Sequence, residues 1–131
     1  MATALTIHDE GTSGGRIRSF KLHLAVERIT VRDLIERRVT QEVEEHNRAQ
    51  PEYFQGLVQP TDAERELNGY RLRKKRMLDA AEQRARAVEA FERSGFFVLV
   101  DDRQLERLDD EFVVRPETEV RFVKLLPLVG G

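Results

Sequence analysis

The residues whose types and position could do chemistry are the last two, Gly130-Gly131. Glycine carries no Cβ, so such an end can pass a narrow constriction and take backbone angles closed to other residues. Pro127 stiffens the stretch just before it and limits the entropy lost on threading. A free carboxylate is a poor acyl donor. Joined to the α-phosphate of ATP it becomes a good one, open to attack by a thiolate, a persulfide or an amine. A chain used in this way is itself a substrate. The expected activation site is Gly130 and Gly131, reached through a tail of Leu126, Pro127, Leu128 and Val129, with no catalytic residue elsewhere.

Other constellations carry less. His8, His23 and His46 have no metal-ligand spacing, and the chain has no cysteine, which excludes disulfides, thiolate metal sites and an internal cysteine nucleophile. No metal and no bound cofactor is expected; ATP would be consumed by a partner enzyme. Gly11-Thr12-Ser13-Gly14-Gly15 fails as a phosphate loop, because neither Lys-Ser/Thr nor a helix follows it. Arg71, Arg73, Lys74, Lys75 and Arg76 form a basic run flanked by acidic residues, which reads as a solvated helix face rather than a nucleic-acid patch. Asp101-Asp102 and Asp109-Asp110-Glu111 read as turns, and no Ser-His-Asp spacing is legible.

These residues must be held by a fold. At 131 residues the chain has the length of one domain and can bury roughly two thirds of its unfolded surface. Its formal charge of -2, with 35% charged residues of both signs interspersed, gives no attraction to nucleic acid or anionic membrane. No apolar run approaches the ~18 residues of a membrane span, so a cytoplasmic protein without a membrane partner is expected.

Leu5–Asp9 and Ile17–Val26 read as a hairpin, with Phe20, Leu22, Leu24 and Val26 at every second position. The period then changes. Thr30 can cap a helix carrying an apolar stripe of Val31, Leu34, Ile35, Val39 and Val43 and ending near His46, before Pro51. Thr61-Asp62-Ala63-Glu64 is a capping-box signal for a second helix reaching Arg93, broken at Asn68-Gly69 and stopped by Ser94-Gly95. Strands return at Phe96–Val100, Arg103–Leu108, Glu111–Val114 and Glu119–Leu125. The last has apolar residues on both faces, as a central strand or one with an outer docking surface would. The expected core contains Leu22, Leu24, Leu34, Ile35, Val98, Val120 and Phe122.

The order strand, strand, helix, insertion, strands resembles the ββαββ order of the β-grasp fold. The ending Arg115-Pro116-Glu117-Thr118-Glu119-Val120-Arg121-Phe122, followed by Leu126-Pro127-Leu128-Val129-Gly130-Gly131, resembles the ends of the MoaD and ThiS sulfur carriers and shares its di-glycine with the ubiquitin family. Sulfur carriers usually have Pro-Pro where this chain has Leu126-Pro127, and they lack an insertion of this size. The resemblance therefore leans toward the ubiquitin-like modifiers of bacterial conjugation-like pathways. It implies an α+β, β-grasp mixed sheet on one helix, in a single domain over 1–131. Its core would be 1–48 and 94–125, with a helical insertion over 49–93 and a flexible tail over 126–131. It further implies an adenylyltransferase of the ubiquitin-activating kind, a conjugating enzyme and a deubiquitinase-like peptidase as partners, docking on Val123 and Leu125. The alternative is a sulfur carrier forming a thiocarboxylate at Gly131.

Overall fold

The computed structural model describes residues 3–12, 15–66 and 69–125; the tail Leu126–Gly131 lies outside them. The fold is α+β, with two helices and a five-stranded mixed sheet. Contacts divide the chain into two units, Met1–Asp33 with Phe91–Gly131, and Leu34–Ala90.

The first unit is built on the sheet. Strands β1 (Thr3–Gly11) and β2 (Arg16–Leu24) form the expected hairpin. A short β3 (Arg28–Thr30) leads into helix α1 (Val31–Ala49). After the second unit come β7 (Phe96–Val100), β8 (Arg103–Leu105), β9 (Glu111–Val113) and β10 (Glu119–Lys124). The large sheet has the order β2-β1-β10-β7-β8, so the last strand lies at the centre. It runs parallel to β1 and antiparallel to β7. The register puts Leu5, Ile7, Leu22, Val98, Val120 and Phe122 on one face, each at most 2% exposed. Burial of each such side chain stabilises by about 1.5–3 kcal/mol. Asp101 and Asp102 both take positive φ, 48° and 69°, between Val100 and Arg103. That is the two-residue hairpin turn whose twist matches the strands, and short polar side chains tolerate it.

Helix α1 begins with its exposed donors satisfied. The Asp33 amide donates to Thr30 Oγ1 at 3.1 Å, the expected cap. Val31 and Arg32 amides donate to the carbonyls of Asp110 and Leu108. The acidic turn at 109–111 thus covers the start of the helix, while β9 pairs antiparallel with β3 beside it. The stripe Val31, Leu34, Ile35, Val39 and Val43 is fully buried. The helix ends at Ala49, three residues beyond the expectation, where Gln50 turns left-handed at φ 44°.

The second unit departs from the sequence reading. The helix expected from Thr61 is absent. In its place β4 (Tyr53–Phe54), β5 (Ala63–Glu66) and β6 (Gly69–Leu72) form a small antiparallel sheet in the order β4-β6-β5. Asp62 has a left-handed φ of 53°, which no helix start can use, and its carbonyl accepts from the Arg73 amide. Gly69, at φ 126°, approaches the Phe54 carbonyl so closely that a Cβ would sit 2.9 Å from it. β5 and β6 therefore pair antiparallel, with Glu66 opposite Gly69, where the sequence reading placed a helix break. Helix α2 is only Ala80–Glu92, and its cap is Asp79, whose Oδ1 accepts from the Ala81 and Glu82 amides. It stops at the expected place, with Ser94 at φ 60°. Within this unit the Asn47 side chain both donates to the Leu78 carbonyl and accepts from the Leu78 amide. Arg38 and Glu42 form a fully buried pair at 3.2 Å one helical turn apart, and Glu42 Oε1 accepts from the Leu57 amide.

Candidate functional site

A central position fixes β10 on both sides by backbone pairing, and Leu125 extends that pairing by donating to the Gly95 carbonyl. The residues that precede the tail thus belong to a strand paired on both sides. Alternation along β10 sends Val120 and Phe122 inward. Glu119, Arg121 and Val123 point to the other face.

That outer face has two halves. Toward β7, Val123 pairs with Phe97 and Arg121 with Leu99. Val123, Phe97 and Leu99 are half-buried and Leu125 is 45% exposed, which makes a short apolar strip. Toward β1 the surface is charged, with Arg121 3.6 Å from Glu10; on the other side Arg121 pairs with Asp102 in the turn between β7 and β8. On the inner face Asp9, 1% exposed, is held by Arg18 at 3.3 Å and Lys124 at 3.8 Å, so its carboxylate is matched by two cations.

The sheet also assembles a group that spacing alone does not reveal. His8 Nδ1 and Ser19 Oγ share a hydrogen bond of 2.6 Å across β1 and β2, and His8 Nε2 stands 3.7 Å from Glu119 Oε1. The second distance exceeds hydrogen-bond length, His8 Nε2 has no hydrogen-bond partner, and Ser19 lies on open surface. The arrangement ties three neighbouring strands.

Of the residues expected to act, Val123 and Leu125 are brought together with Phe97 and Leu99, while Leu126, Pro127, Leu128, Val129, Gly130 and Gly131 lie outside the described residues. Phe97 and Leu99 were signalled only by their place in the apolar run 96–100. The basic run is not on a helix: Arg71 belongs to β6, and Arg73–Arg76 form the connection after it. Among the described residues no three His, Cys, Asp or Glu side chains cluster to hold a metal ion, and no helix is long and apolar enough to cross a membrane. Compared with known proteins, the chain matches no family model, no curated protein and no solved structure.

Proposed function

We propose that this chain is a β-grasp, ubiquitin-like protein modifier whose Gly131 carboxylate is adenylated by an activating enzyme and transferred to a target amine. The observation that carries the reading is the position of β10. The first and last strands lie adjacent and parallel at the centre of a sheet whose other strands come in hairpins, as the ββαββ order requires. Such a sheet delivers the residues after Lys124 from a rigid base. The strip of Val123, Leu125, Phe97 and Leu99 beside that exit offers an activating enzyme an apolar anchor, and apolar anchors supply most of the affinity in interfaces of this kind. The activating adenylyltransferase reads the tail, the conjugating enzyme receives the acyl group, and a deubiquitinase-like peptidase reverses the bond.

The sequence supplies its own test. Trypsin cuts after Lys124, so every conjugated lysine retains the remnant Leu125–Gly131. Mass spectrometry of a tryptic digest of the native host should find that remnant on lysines of other proteins. A chain recovered only unattached, with a sulfur in place of an oxygen at its terminal carboxylate, would assign it to sulfur transfer. One recovered with an unmodified carboxylate in every condition would contradict activation altogether.

A further inference from the structure

Residues 46–76 enclose a second feature that the modifier reading does not use. After β6 the chain passes His46 at the end of α1, and between them lies a cavity of about 480 Å³. That volume is within the range of small-ligand sites, about 300–1,000 Å³. Its walls carry Arg71, Arg73, Lys75 and Arg76 against a single carboxylate, Glu52, in a chain whose formal charge is -2.

Not all four cations are occupied. Arg71 is bound by Glu52 and Glu66 and lies over the Tyr53 ring, and these contacts raise its pKa further, led by the Tyr53 hydrogen bond. Arg76 donates to the Thr61 carbonyl. Arg73 and Lys75 are exposed and have no carboxylate partner among the described residues. His46 contributes a group of a different kind. It is 5% exposed, held edge-on against Phe54 at 5.3 Å, and its Nδ1 is buried without a hydrogen-bond partner. An orphaned buried polar atom costs about 1–3 kcal/mol.

We propose that this cavity binds a compact, multiply charged phosphate anion, a pyrophosphate or the phosphate end of a small metabolite, gripped by Arg73, Lys75 and Arg76 with His46 at its wall. The chemistry selects this class. Guanidinium groups match phosphate oxygens two at a time. The lining offers only Leu72 and Pro51 as apolar surface, so a large apolar ligand body would gain little. Arg71, already neutralised by two carboxylates, acts as a positioning residue that holds β6 against β4.

His46 also reports occupancy. Burial, and then the charge of Arg76, lower its pKa below 6.5. The charged groups around it are Arg71, Arg73, Lys75, Arg76 and Glu52 in the cavity and Glu42 one turn earlier on α1. A bound polyanion offsets the cations and moves the imidazole pKa upward.

The test is a titration of the full chain with sodium pyrophosphate, followed by calorimetry and by NMR of the His46 ring. Saturable one-site binding, with a raised His46 pKa, is expected. Arg73→Ala with Lys75→Ala should weaken it at least tenfold without changing the melting temperature, since both side chains are exposed. Lys74→Ala should leave it intact, because Lys74 belongs to the same run but not to the cavity wall. Equal weakening by Lys74→Ala would reduce the effect to diffuse charge and overturn the site. Equal binding of citrate would overturn the phosphate class. Binding of an oligothymidylate through the same residues, without pyrophosphate binding, would overturn it in favour of a nucleic-acid surface.

Discussion

The five-stranded sheet and the small sheet of residues 53–72 reach order by different means. In the large sheet every second residue of the central strands is sealed from water, and Val120, Phe122, Ile7 and Val98 have no exposure at all. In the small sheet only Phe54 is sealed. Its strands of two to four residues are joined by cross-strand pairs such as Glu64 with Arg71 and Arg65 with Tyr70, by ion pairs of Arg71, and by one glycine at a positive φ where any side chain would be strained. Exposed ion pairs contribute little, with a median of about 0–1 kcal/mol. The large sheet is therefore held by burial, and the small one by local backbone geometry and by the few buried groups beneath it.

Four substitutions would sharpen or break that contrast. Phe122→Ala removes a fully buried ring that packs on Phe96 at 5.7 Å and should cost about 3–5 kcal/mol in urea unfolding. Glu42→Ala should cost about 3 kcal/mol, because it removes the buried carboxylate that pairs with Arg38 and accepts from the Leu57 amide. Gly69→Ala should cost about 1–3 kcal/mol through strain at its positive φ and its approach to the Phe54 carbonyl. If it cost as much as Phe122→Ala, the small sheet would be as strongly built as the large one and the contrast would fail. The smallest effect is that of pH on His46. Its folded pKa is depressed, so the unfolded chain takes up a proton that the folded one refuses. Stability from this group is present above pH 6.5 and declines as the pH falls just below it, until the folded imidazole protonates too. A His46→Gln variant, compared with the wild type by denaturant midpoints from pH 7.5 to 5, should lack that component.

The same division decides what the sequence discloses. Burial leaves a pattern, and the alternation of residues 20–24, the apolar run 96–100, the stripe of α1 and the two-faced last strand all led to the right elements. Charge pairs and left-handed residues leave none. Ala63-Glu64-Arg65-Glu66 are good helix formers, yet they lie in a strand, because Asp62 turns left-handed and Asn68-Gly69 favours a hairpin. Asp79-Ala80-Ala81-Glu82 carries the true start of α2 and was overshadowed by the stronger-looking signal at Thr61. Arg38 is the sharpest case. By composition it belongs on a solvated face, yet it is completely buried and pairs with Glu42, whose other carboxylate oxygen accepts from the Leu57 amide. The candidate docking strip was half legible. Val123 and Leu125 stand out in the last strand, whereas Phe97 and Leu99 join them only once β7 is known to be its neighbour.

On the proposed function, the carboxylate of Gly131 is the group that reacts. Deleting Gly131 moves that carboxylate back by about 3.5 Å along an extended chain. Reacting atoms must sit about 3–3.5 Å apart for in-line attack, so the displacement is disabling. The decisive measurement is ATP–pyrophosphate exchange by the cognate activating enzyme, with the intact chain and the Gly131-deleted chain as substrates and their melting temperatures as the control. Exchange with the intact chain, its collapse on deletion, and equal melting temperatures are predicted. Undiminished exchange by the shortened chain, or none by the intact one, would contradict the account.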